Sequence, residues 1–119
     1  MKSYLRIANF PTSKVIETLN DLKAQDVSML DVRTQSTFTD YMVISTGTSR
    51  RHVNAIVDAV VLNAKHQGTR VLGIEGQKAA EWVLIDLGDV VVHVMQRDAR
   101  DFYDLERLWG IGVKQQEAI

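Results

Sequence analysis

The sequence predicts an α+β domain of mixed α/β layers, a mixed β-sheet of about five strands packed with helices. Two observations predict it. Apolar residues alternate between a helical period and a strand period along the chain, in the order α-β-β-α-β-(α)-β-β-α. Two hairpin-like strand pairs then flank one strand–helix–strand connection, which requires antiparallel neighbours and a crossover in the same sheet.

The elements follow from local patterns. Pro11 marks the start of organised structure after a short N-terminal arm. Ser13 suits a helix cap, and Val15, Ile16, Leu19 and Leu22 form one apolar stripe of a helix reaching about Gln25. Asp26–Arg33 reads as a strand, TQSTFT as a polar connection and Asp40–Thr46 as a second strand. Thr48 or Ser49 caps the clearest helix, in which Val53, Ile56, Val57, Val60, Val61 and Ala64 share a face. Gly68 stands where a left-handed C-terminal cap belongs. Val71–Ile74 forms a short strand and Gln77–Ala80 one helical turn. EWVLIDLGDVVVHVMQ (81–96) supplies two more strands. Asp98 caps a last helix through Leu108, with Phe102, Leu105 and Trp109 on one face, Gly110 as its stop and KQQEAI as a frayed tail.

Bulk properties narrow the function classes. The 119 residues fit one domain, 1–119 with a core at about 13–110, without help from metal or disulfides. There are no cysteines, which excludes thiol catalysis and cysteine-ligated zinc and fits a reducing compartment. With 14 basic and 15 acidic residues, the chain lacks the positive excess that drives nucleic-acid binding. Little or no direct nucleic-acid contact is therefore expected, and Arg50–Arg51, Arg97 and Arg100 read as solvated helix ends. No apolar run approaches the ~20 residues of a membrane span, and MKSYLRIANF does not read as a signal peptide.

The hairpin at 81–96 carries the functional question. A two-residue turn at Gly88–Asp89 or Leu87–Gly88 puts Val83, Ile85, Leu87, Val90, Val92 and Val94 on one aliphatic face, which should be core. The other face holds Trp82, Leu84, Asp86, Val91, His93 and Met95, a mixture suited to a partly covered or partner-covered surface. A rival arrangement is a metal-dependent nucleotidyltransferase. It would use Asp86 and Asp89, with Asp31 as a third carboxylate, beside an anion-binding loop at Gly47–Ser49. That loop lacks a Walker-type lysine, and aspartates beside a turn have conformational reasons to be there. His52 and His66 read as solvent-facing, and His93 as a structural or interface histidine without the companions a metal needs.

DYMVISTGTSRRHVNAI (40–56), GIEG (73–76), EWVLIDLGDVVVHVMQ (81–96) and RDFYDLERLWG (100–110) together closely resemble the ribosomal silencing factors of the Iojap family. Four motifs in order, spanning about Ser13 to Gly110, make the resemblance specific. One departure is Met95, where the family often has Phe. The resemblance implies a sheet fold related to nucleotidyltransferases without their activity, and so no catalytic residue, cofactor or metal. It implies binding to the large ribosomal subunit through that subunit's protein fourteen, steric block of subunit joining, translational repression in nutrient limitation and a link to ribosome biogenesis. It also implies a homodimer when free, and with no transit peptide read ahead of the domain a cytoplasmic form is expected. The partner-binding residues it points to are Trp82, Leu84, Asp86, Asp89 and His93 of the hairpin, with Arg100, Tyr103 and Glu106 from the last helix. Tyr41 and His52 match family positions without an assigned role.

Overall fold

The computed structural model describes residues 12–108. In order they form α1 (Thr12–Asp21), β1 (Gln25–Asp31), β2 (Tyr41–Gly47), α2 (Arg50–His66), β3 (Gly73–Glu75), β4 (Trp82–Asp86), β5 (Val90–Gln96), α3 (Arg97–Tyr103) and α4 (Leu105–Leu108). The five strands make one sheet in the order β1-β2-β5-β4-β3. Only the β2–β5 pair is parallel; the other three pairs are antiparallel. This is the mixed α+β sheet that the alternating periods predict. Pro11, Trp109, Gly110 and the tail lie outside the described residues.

The β4–β5 hairpin does not extend the sheet at its edge. It enters between β2 and β3, so α2 crosses over two strands that come later in the chain. One sheet face packs against α1 and α2. Val15, Leu19, Val53, Ile56 and Val60 from the helices meet Val43, Val83, Ile85, Val92 and Val94 from the strands, all fully buried. The expected aliphatic face of the hairpin is thus core, and the register Val83↔Val94 and Ile85↔Val92 matches its predicted parity.

Helix ends explain where the boundaries moved. Ser49 caps α2 by accepting from the His52 amide at 3.0 Å. At its other end Gly68 adopts φ +78, with Thr69 N–H on Ala64 O and Gly68 N–H on Lys65 O, a Schellman closure. α1 stops four residues before the expected Gln25 because Lys23 takes the left-handed role at φ 64, with Ala24 N–H on Leu19 O. A lysine there carries no sequence signal of a cap. Gln77–Ala79 forms a turn, closed by Ala80 N–H on Gly76 O at 3.0 Å.

The last predicted helix is corrected most. Asp104 sits at φ 50 and breaks it into α3 and α4. Aspartate tolerates the left-handed region better than most residues, and Asp104 O then accepts the Arg107 and Leu108 amides. The break turns Phe102 out to 80% exposure while Leu105 is buried, so the two do not share one apolar face. The N-cap of α3 is also Gln96, with no side-chain cap bond, and not Asp98.

Candidate functional site

α3 and α4 cover only part of the second sheet face. Three cross-strand rows run over it: Ser28–Ile44–His93–Leu84–Glu75, Leu30–Met42–Val91–Asp86–Gly73, and Thr46–Met95–Trp82. On the β1–β2 side, Leu30, Val32, Met42, Ile44 and Met95 pack with Leu105 into a second buried cluster, edged by Trp82 and Ala99. On the β4–β3 side, Leu84 and Val91 belong to neither buried cluster and are half-buried. Trp82, Leu84, Asp86 and Val91 therefore form an open half-face, with Glu75 beside Leu84 adding a second carboxylate.

Trp82 is the best-fixed of these side chains. Its Nε1–H donates to His93 Nδ1 at 2.9 Å. Its ring lies 4.7 Å from that of Tyr103, which meets Phe102 edge-on at 5.0 Å. Phe102, expected on one helix face with Leu105, instead extends the aromatic patch. Asp86 Oδ1 accepts from Gly88 N–H at 2.9 Å, and Gly88 has φ +89 at the first position of the two-residue turn. Leu87 N–H on Val90 O closes that turn, which places it at Gly88–Asp89. Asp89 O accepts the Asp40 and Tyr41 amides, both at 3.0 Å, joining the turn to the start of β2.

The remaining predicted residues face inward. His93 is 4% exposed, and burial pushes its imidazole down to about 4, so the ring is neutral. Arg100, expected on a solvated helix end, is 7% exposed because α3 lies on the sheet. It donates from Nη1 to Asp26 O (2.6 Å) and Thr46 Oγ1 (2.9 Å), and from Nη2 to Ser28 Oγ (3.4 Å) and the Glu106 carboxylate. Ser28 Oγ also donates to Glu106 Oε2 at 3.0 Å. Desolvation opposes the Glu106 charge, but the hydrogen bonds and charge of Arg100, with the Ser28 bond, outweigh it and hold the carboxyl below its ordinary value. A bulge at Asp26, with φ 49 and a register shift before Ser28, aims the Asp26 carbonyl at Arg100. Arg100 and Glu106 thus bind the C-terminal helices to the β1–β2 end of the sheet. Sequence spacing had no means of pairing Arg100 with residues over 50 positions away.

The metal-dependent rival does not assemble. Asp31 pairs in register with Tyr41 on the α1–α2 face, whereas Asp86 lies on the opposite face three strands away, about 14 Å at ordinary strand spacing. Asp31 is also engaged by Arg33 at 2.6 Å, whose hydrogen bonds hold its carboxyl below the ordinary value. Gly47–Ser49 sits at the far end of the strands, five β5 residues or about 16 Å from the Asp86 level. Its central amide is occupied: Thr48 N–H donates to His52 Nδ1 at 2.9 Å. Contrary to expectation, His52 is not solvent-facing, because its Nε2–H donates to Leu22 O at 2.7 Å. Among the described residues no cluster of three or more His, Asp or Glu side chains could hold a metal. Likewise, none of their helices is long and apolar enough to cross a membrane.

The sheet thus leaves an aromatic and acidic half-face open among the described residues. Residues 8–119 match the family described as "Ribosomal silencing factor during starvation". A Haemophilus influenzae protein named ribosomal silencing factor RsfS is 47% identical over 95 residues, covering 80% of this chain and 93% of the relative. A mouse protein named mitochondrial assembly of ribosomal large subunit protein 1 is 36% identical over 105 residues, covering 86% of this chain and 46% of its own. A crystal structure of a Chromobacterium violaceum protein superposes with a TM-score of 0.82 at 42% identity, covering 83% of this chain and 82% of that one. The chain belongs to the ribosomal silencing factor family.

Proposed function

We propose that the open half-face of Trp82, Leu84 and Asp86 docks on protein fourteen of the large ribosomal subunit, and that the bound chain blocks subunit joining by its bulk. The observation that supports this reading is a half-buried tryptophan held in one orientation beside an aliphatic residue and carboxylates. A desolvated aromatic anchor supplies affinity, while Asp86, Asp89 and Glu75 suit a basic protein and govern encounter and register. Tyr103 supports the anchor directly. His93, Arg100 and Glu106 act from beneath, by fixing Trp82 and the helix that carries Tyr103.

Steric repression requires a rigid surface and no nucleophile, cofactor or metal, so the chain acts as a binding protein and not as an enzyme. Its setting is the cytoplasm, its action falls in nutrient limitation, and it forms a homodimer when free. The mouse relative's name favours a second reading, in which this chain attends assembly of the large subunit. Sucrose-gradient sedimentation with purified subunits tests both. Co-migration with the large subunit and loss of joined ribosomes, both reversed by Trp82→Ala and Asp86→Arg, is the expected result. Co-migration without loss of joining would favour the assembly role. Unchanged binding by both folded variants would refute the docking face.

A further inference from the structure

We infer that His93 is a positioning residue of the docking face: its Nδ1 holds the Trp82 indole N–H inward, so that a partner meets ring carbons and not the donor. The inference rests on the docking reading above and names the chemistry the partner must bring. Trp82 pairs across the hairpin with Met95, and His93 with Leu84, so the 2.9 Å bond from Trp82 Nε1 to His93 Nδ1 runs diagonally between neighbours on one face. An indole N–H can only donate, so Nδ1 accepts and the ring proton sits on Nε2.

That Nε2 is buried and finds no hydrogen-bond partner among the described residues. An unpaired buried donor destabilises a fold, and an aliphatic residue in the same row would avoid it. The feature of the imidazole that the fold uses is therefore the acceptor at Nδ1. Burial depresses the ring's basicity, which keeps Nδ1 free to accept at neutral pH. Tyr103 closes another side of the indole at 4.7 Å. What remains for a partner is apolar ring surface, which accepts an aliphatic side chain or the cationic head of a lysine or arginine. A carbonyl or carboxylate seeking the indole donor finds it occupied.

The test uses the full chain labelled with nitrogen-15, in a Trp109→Phe background so that Trp82 supplies the only indole signal. A two-bond nitrogen–nitrogen coupling between Trp82 Nε1 and His93 Nδ1 at neutral pH, with the proton on Nε2, is expected in this otherwise unaltered protein. Absence of the coupling would overturn the inference whatever the variants do. His93→Leu should weaken binding to purified large subunits by at least about tenfold, roughly 1.4 kcal/mol. His93→Gln, whose side-chain carbonyl can accept the indole N–H, should recover most of that loss and restore slow exchange of the indole proton. If His93→Leu folds and binds like the parent while Trp82→Ala does not bind, the positioning role is refuted and the docking face stands. If Trp82→Ala also binds normally, the docking reading itself falls. Should His93→Leu fail to fold, the coupling and the His93→Gln affinity decide.

Discussion

Replacing Arg100 by methionine keeps most of the side chain's length and removes its charge and all its donors. In the native fold that guanidinium serves the Asp26 carbonyl, Thr46 Oγ1, Ser28 Oγ and the Glu106 carboxylate, in a site where it is 7% exposed. Arg100→Met therefore leaves a largely buried carboxylate without its counter-charge, and such half-broken pairs cost about 3–5 kcal/mol. Against a total stability of roughly 5–15 kcal/mol this is a large fraction, and urea unfolding followed by circular dichroism will resolve it. Arg100→Met/Glu106→Leu, which removes both charges, should be more stable than Arg100→Met alone. The pH dependence should also change sign. In the parent, Glu106 is held below its unfolded value of 4.5, so its contribution is present above that pH and is lost as pH falls through the lower folded value. In Arg100→Met, desolvation acts without the guanidinium, the carboxyl rises above its unfolded value, and stability should fall as pH rises through that range. A loss below about 1 kcal/mol, or a double variant no better than the single, would refute the account of this network.

His93 gives a second pH effect: neutral in the fold at about 4 against 6.5 unfolded, it stabilises fully above pH 6.5. Stability should then drop by up to about 3 kcal/mol as pH falls toward 4, and the part of that slope above pH 5 should vanish in His93→Gln. Gly76→Ala should lower the melting temperature and disturb Trp82, because an added Cβ would stand 2.2 Å from the Trp82 carbonyl oxygen at a residue with φ +93. A tryptophan emission spectrum identical to the parent's would count against that coupling. Asp86→Ala removes the carboxylate bond to the Gly88 amide and should cost about 1 kcal/mol in urea unfolding, separate from its effect on subunit binding. Asp86→Asn, which keeps an acceptor at that position, should recover most of the stability and little of the binding.

Much of the fold was legible where one principle acted alone. Alternation in β4 and β5 assigned both faces correctly because a strand's period of two allows no other outcome once the turn is placed. The α2 stripe and the Gly68 cap were legible for the same reason. The chain concealed what depends on single backbone choices or distant partners. Left-handed Lys23 shortened α1, and left-handed Asp104 split the last helix and carried Phe102 outward. The site divided along the same line. Trp82, Leu84 and Asp86 could be placed on one face from spacing, whereas the burial of Arg100 with Ser28, Thr46 and Glu106 appears only when β1, β2 and α3 meet.

The insertion of β4–β5 between β2 and β3 bears on how the chain is born. As the polypeptide leaves the ribosome at about 5–20 residues per second, β2, α2 and β3 emerge before the strands that must lie between them. Until residue 96 is out, β2 has an unpaired inner edge and α2 has no sheet centre to cover. The proposed docking face comes from that late hairpin, and the helices packed beside it are later still. If that proposal holds, a product cut short before β5 has no competent surface. On the proposed reading, silencing waits on the emergence of β4, β5 and the helices that follow them.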